Sequence, residues 1–153
     1  MTTRPNPYMA AGNLIQPLIE FGNTVAAMGL EPGLVELIKI RASQINGCAA
    51  CLHMHVRDAR KAGESEMRIF LLDAWRESPL FSARERAAMG WTEALTRLGD
   101  EHGRDLAYEA VAQEFTPEEQ VKLTLMITAI NSFNRLNVGF KVSHPGSAPR
   151  VAA

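Results

Sequence analysis

The chain has 153 residues, 46% of them hydrophobic, with 16 basic and 17 acidic side chains and a formal net charge of −1. A chain of that length has a sizeable core, since folding buries about two-thirds of the surface its unfolded form exposes. The balanced charge excludes an electrostatic footprint for nucleic acid or an anionic membrane, and no apolar run approaches the roughly 20 residues that cross a bilayer.

In chain order, the opening MTTRPNPYMAAG lacks the continuous apolar segment of a signal peptide, so the expectation is a soluble, cytoplasmic protein without membrane partners. GNLIQPLIEFGNTVAAMGL, residues 12–30, has apolar residues at helical spacing, with Pro17 either in the first turn or at a kink. EPGLVELIKIRASQING, residues 31–47, reads as a helix that starts at Pro32 and stops at Asn46-Gly47. A new helix is expected near Cys48, ending at Gly63 with Arg60 and Lys61 in its last turn. ESEMRIFLLDAW follows with Ser65 as a cap, and SARERAAMGWTEALTRL opens on Ser82 and Glu85, the spacing of a capping box. Tyr108 to Phe115 is short and ambiguous. The last helix begins with Thr116 as cap, Pro117 in first position and two carboxylates in its first turn. Its wide apolar face, including Leu123, Ile127, Ile130 and Phe133, implies burial on more than one side, part of it against another subunit. No segment alternates with a period of two, so the fold class is all-α, read as a single domain over residues 1–153. Its core spans about residues 12–140, with 141–153 a loose extension or an arm reaching a neighbour.

The chain's two cysteines stand three apart in QINGCAACLHMH, residues 44–55, with two of its four histidines just after them. On a helix, Cys48, Cys51 and His55 share one face, while His53 lies on the opposite side as a surface or interface residue. The first turn of a helix stabilises a thiolate through unpaired N–H groups and the helix dipole. His55, one turn on, is placed to take the Cys51 proton or to pair with its thiolate. In a reducing compartment such a pair is catalytic or metal-binding rather than a structural staple. Structural zinc needs four ligands, and only His102 and His144 remain, neither in a paired motif, so no metal is expected. A chance pair buried in a packed helix remains the plain alternative.

ELIKIRASQINGCAACLHMHVRDARKAGES, residues 36–65, resembles the signature of the carboxymuconolactone decarboxylase and alkylhydroperoxidase D (AhpD-like) superfamily, and the later SARERAAMGWTEALTRL and NRLNV extend the likeness from about Glu31 to Val138. The resemblance implies an AhpD-like helical bundle and a hydroperoxide-reducing enzyme of alkyl hydroperoxide reductase type. In it Cys51 matches the peroxidatic thiol, Cys48 the resolving thiol, and His55 and Glu36 the proton relay. It also implies an external dithiol reductant, lipoyl-bearing or thioredoxin-like, no bound cofactor, and a homo-oligomer, trimer or hexamer. Glu36 has its role from the resemblance alone: flanked by Val35, Leu37 and Ile38, it otherwise reads as a solvated residue or an ion-pair partner of Lys39 or Arg41. One departure from the archetype is Ala50, where that protein has a further histidine just before the peroxidatic cysteine. It bears on substrate and rate. Two alternatives remain: lactone decarboxylation, which does not depend on the cysteine pair, and a non-enzymatic redox sensor that oxidises once. A narrow apolar pocket above Cys51, lined by Phe or Trp, would favour organic hydroperoxides.

Overall fold

The computed structural model describes residues 3–145, and among these the regular elements are all helical. In order they are α1 (Pro7–Ala10), α2 (Gly12–Ala26), α3 (Pro32–Asn46), α4 (Ala49–Lys61), α5 (Glu66–Phe70) followed by a tight turn at Leu71–Ala74, α6 (Ala83–Arg97), α7 (Glu101–Glu114) and α8 (Pro117–Phe140). Among the described residues, no helix is long and apolar enough to cross a membrane.

Helix α3 is the centre of the packing, touching α4, α6 and α8. The reason is visible in its sequence: Leu34, Val35, Leu37, Ile38, Ile40 and Ala42 cover more than half of the cylinder and all are buried, while Glu36 and Lys39 on the remaining side are partly buried. Leu123, Met126, Ile127 and Ile130 of α8 and Ala87, Ala88 and Met89 of α6 are buried with them. Phe133, expected on the buried face of the last helix, is only half-buried. Its ring lies against α2 where Gly22 has no side chain; a Cβ there would come within 3.0 Å of it.

A helix this deeply packed must satisfy its buried polar side chains inside the protein. Arg41, 4% exposed, donates from Nε to Glu93 Oε1 on α6 at 2.8 Å and from a terminal nitrogen to Gln44 at 3.0 Å, and also pairs with Asp73. Glu93 in turn accepts from Trp75 Nε1 at 2.9 Å and from Arg76 at 2.7 Å. Burial would push the Glu93 carboxyl up, but these hydrogen bonds and the Arg41 charge hold it below the ordinary value. At the other end of α3, Asn46 Nδ2 donates to Asn131 and Asn134 of α8 at 3.0 and 2.9 Å, and Asn134 donates to Ser43 Oγ at 3.0 Å.

The helix ends follow the local chemistry. Ser82 with Glu85 and Thr116 with Glu119 both form complete capping boxes. The Arg84 guanidinium and the Thr116 backbone N–H hold the Glu119 carboxyl at about 2. Ser65 stands at a helix start but makes no side-chain cap; its backbone N–H donates to Glu64 Oε1 at 2.8 Å. Pro17 sits inside α2, in its second turn rather than its first, where its missing N–H leaves the exposed Asn13 carbonyl without an intrahelical donor, and α2 ends at Ala26 rather than near residue 30, with Gly29 turning the chain at φ 90°. The segment around Tyr108 is the second half of a full helix capped by Asp100, whose side chain accepts from Gly103 N at 2.9 Å. Of the tail read as a loose arm, residues 146–153 lie outside the described residues, whereas Val142 N donates to Asn137 O and His144 stacks on His53.

Replacing Glu93 by Leu removes the buried partner of Arg41, leaving it the exposed Asp73 carboxylate and Gln44, and should cost about 3 kcal/mol, the scale for breaking a buried pair from one side. Urea denaturation checks this; a loss below about 1 kcal/mol, the value of a surface pair, contradicts it.

Candidate active site

The junction between α3 and α4 is one compact device. Gly47, in the left-handed conformation (φ 66°, ψ 32°), ends α3, with Gly47 N bonded to Gln44 O at 3.2 Å and Cys48 N to Ser43 O at 3.0 Å. An L side chain at position 47 would be strained. Cys48 is thus both the residue just past α3 and the N-cap of α4, its Sγ accepting the Cys51 N–H at 3.3 Å. The two sulfurs are joined as a disulfide, with Cα atoms 5.3 Å apart. Both cysteines are buried, Cys51 at 1% exposure, in the first turn of α4 where the helix dipole favours negative charge on sulfur once the bond is reduced.

His55, one turn along α4 and 8% exposed, donates from Nδ1 to Glu36 Oε2 at 3.0 Å, and Lys39 Nζ donates to Glu36 Oε1 at 2.9 Å. Of the partners open to Glu36 on sequence grounds, Lys39 is one, while Arg41 is turned away to Glu93. With Nδ1 held by the carboxylate, Nε2 is the ring nitrogen available to exchange a proton. Burial pushes the Glu36 carboxyl up, but the hydrogen bonds and charges of His55 and Lys39 outweigh it and hold the group below its ordinary range.

Cys51 and His55 line a cavity of about 480 Å³ between α2, α4 and α8. Ile19, Met54, Met126, Ala129, Ile130 and Phe133 form its apolar wall, and Tyr8, Asn23, Lys39 and Asn137 its polar side. Ala50 also lines it, so the space beside Cys51 that a histidine would fill is apolar here. Phe133 is the phenylalanine expected there; the tryptophans lie elsewhere, Trp75 on Glu93 and Trp91 Nε1 on Thr124 at 3.0 Å. The structure therefore brings Cys48, Cys51, His55 and Glu36 together and leaves His53 outside, its ring 5.1 Å from that of His144. Among the described residues no three side chains of His, Cys, Asp or Glu converge as metal ligands.

Two neighbours escaped the sequence reading. Asn137 Nδ2 donates to Cys51 Sγ at 3.2 Å, and Tyr8 Oη donates to Asn137 Oδ1 at 2.9 Å. Asn137 lies in the NRLNV segment, which the family resemblance included without giving its residues a role, whereas nothing in the opening residues signals Tyr8.

A family model described as the carboxymuconolactone decarboxylase family matches residues 15–94. The uncharacterized protein YdfG of Bacillus subtilis is 46% identical over 103 residues, covering 67% of this chain and 70% of that protein. The crystal structure of a protein of unknown function from Agrobacterium tumefaciens, described as a candidate antioxidant defence protein AhpD, superimposes with a TM-score of 0.89 at 43% identity, covering 94% of this chain and 99% of that one. An uncharacterized peroxidase-related protein from Silicibacter shares the fold at 19% identity, with a TM-score of 0.74 over 86% of this chain and 70% of its own.

Because Glu36 titrates below its unfolded value, about 4.3 for a free glutamate, its stabilisation is complete above that pH and is lost as pH falls through the folded value. Glu36→Gln should therefore destabilise the protein at neutral pH, with the gap to wild type closing in acid. Urea midpoints measured along a pH series test this, and a gap that stays constant into acid contradicts it.

Proposed function

The chain belongs to the carboxymuconolactone decarboxylase family, and from that premise we propose that it is a thiol-dependent peroxidase of the AhpD type. The observation that carries the reading is the joined Cys48–Cys51 pair in the first turn of α4, with Cys51 facing an apolar cavity and the His55–Glu36 pair one turn away. The description of the Agrobacterium relative as a candidate antioxidant defence protein supports it.

In the proposed cycle, Cys51 is the peroxidatic thiol. His55, oriented by Glu36, takes the Cys51 proton, and the thiolate attacks the terminal oxygen of a hydroperoxide. The O–O bond breaks, the oxygen attacked stays on sulfur as a sulfenic acid, and the departing alkoxide takes the proton back from His55 and leaves as alcohol. Cys48, the resolving thiol, then attacks the Cys51 sulfur, forming the disulfide and releasing water. An external dithiol, lipoyl-bearing or thioredoxin-like, gives two electrons and two protons to restore both thiols and departs as its own disulfide. No bound cofactor takes part. The apolar wall of Ile19, Met126, Ile130 and Phe133 supports an organic hydroperoxide over hydrogen peroxide, by removing carbon surface from water. Retention of both cysteines argues against lactone decarboxylation, which has no use for them. The exposed side chains of Met9, Leu14 and Phe140 on α1, α2 and α8 support assembly as a homo-oligomer, trimer or hexamer.

Steady-state consumption of cumene hydroperoxide with dihydrolipoamide is the test. Wild type should turn over repeatedly, Cys51→Ser should lose the activity, and Cys48→Ser should stall after one equivalent. Wild-type turnover in Cys51→Ser would overturn the proposal, and a single oxidation without cycling in wild type would point to a redox sensor instead.

A further inference from the structure

Asn137 reaches Cys51 across 86 positions of sequence, and Tyr8 reaches Asn137 across 129, so α1, α8 and α4 converge on one sulfur. The contact is built into the fold at both ends. Lys141 in the left-handed conformation closes α8, with Val142 N on Asn137 O at 2.9 Å and Lys141 N on Val138 O at 3.2 Å. Arg4 ties the segment before α1 to the Gly139 carbonyl at 2.5 Å, two residues beyond Asn137. The turn that carries Asn137 and the segment that carries Tyr8 are thus pinned to each other.

An asparagine amide can present either its N–H or its carbonyl oxygen to a neighbour. Here the Tyr8 hydroxyl donates to Oδ1, which leaves Nδ2 aimed at Cys51 Sγ. Turned over, the amide would set its oxygen lone pairs against the sulfur, an arrangement that favours the protonated thiol over the thiolate. Tyr8 remains a donor across the neutral range: burial pushes its hydroxyl above the ordinary value, against the smaller downward pull of the Asn137 bond. A hydrogen bond to the charged form of a group lowers its pKa, so an N–H held on Cys51 favours its thiolate.

We propose that Asn137 is a further catalytic residue, donating its amide N–H to the Cys51 thiolate, and that Tyr8 is a positioning residue that fixes the orientation of that amide. The proposal deepens the peroxidase reading and rests on it for its kinetic meaning, but its structural content is a property of the thiol alone. With Ala50 beside Cys51, the amide supplies a neutral donor on the cavity side of the sulfur. The same bond serves the return half of the cycle, since it stabilises the Cys51 thiolate that leaves when an incoming dithiol attacks Cys48. The titratable and charged groups facing Cys51 are His55 on its own helix, Lys39 and, behind His55, Glu36 on α3, and Tyr8 on α1; α2 and α8 contribute Asn23 and Asn137, which do not titrate.

The test uses the full chain carrying Cys48→Ser, in which Cys51 is the one remaining thiol. Its pKa is read from thiolate absorbance and from the pH dependence of iodoacetamide alkylation, with and without Asn137→Ala and Tyr8→Phe. Asn137→Ala should raise the thiol pKa by about one to two units, the scale of a hydrogen bond to a charged group. Tyr8→Phe should raise it by less, and should add nothing once Asn137 is already alanine, because its effect passes through the amide. A folded Asn137→Ala protein with an unchanged thiol pKa overturns the proposal; so does a Tyr8→Phe shift that persists undiminished without Asn137. If Asn137→Ala does not fold, Tyr8→Phe decides alone: a raised thiol pKa supports the proposal and an unchanged one overturns it. Absent hydroperoxide turnover together with the expected pKa shifts would instead count against the peroxidase reading and leave the thiolate donor standing.

Discussion

Helix α3 is buried over most of its circumference, yet it carries Arg41 and Ser43 into the interior and the partly buried Glu36 and Asn46 against its neighbours, and the rest of the structure is arranged to satisfy them. An unpaired buried charge costs several kcal/mol, a large part of the net stability of a small protein, so each partner must be held in place. Arg41 draws Glu93, and through it Trp75 and Arg76, into one cluster that fixes α6 against α3. Ser43 and Asn46 fix α8 by bonding Asn131 and Asn134. Glu36 fixes α4 through His55. The packing of three helices around α3 and the orientation of the imidazole are outcomes of the same requirement.

The site follows from where α3 stops. Because Gly47 takes a left-handed conformation, the chain reverses within one residue and Cys48 becomes the cap of the next helix. Cys51 then falls in the first turn of α4, and His55 falls one turn later on the face toward Glu36. Helices α2 and α8 wall the other side, and Gly22 permits the close approach of Phe133 that shapes the apolar cavity. The cavity gives a carbon-bearing substrate a dry surface beside a sulfur, and the polar groups around it are few and converge on Cys51 and His55, as a reactive thiol requires.

Much of this was legible in the sequence because it is encoded locally. The caps at Ser82 and Thr116, the stops at Gly47 and Gly63 and the shared face of Cys48, Cys51 and His55 depend on residues three or four apart. Helix α7 was half-hidden because only Val111 of its residues is buried, so the apolar rhythm that marks an amphipathic helix is weak. Glu36 could not be told from a surface glutamate by pattern, since the partner that distinguishes it, His55, is 19 residues away. Arg41 with Glu93 and Tyr8 with Asn137 are bridges of long sequence separation between elements. Such bridges are set by the tertiary packing and leave no periodic trace in the chain.

The most direct test of the account is to trap the first covalent species it requires. Reduced Cys48→Ser protein would be treated with one equivalent of cumene hydroperoxide in the presence of dimedone, and the adduct located by peptide mass spectrometry. A stoichiometric dimedone adduct on Cys51 is the expected result, because the peroxide oxygen is transferred to that sulfur and no resolving thiol remains to remove it. Protein recovered with Cys51 still a free thiol and the hydroperoxide intact would contradict the account.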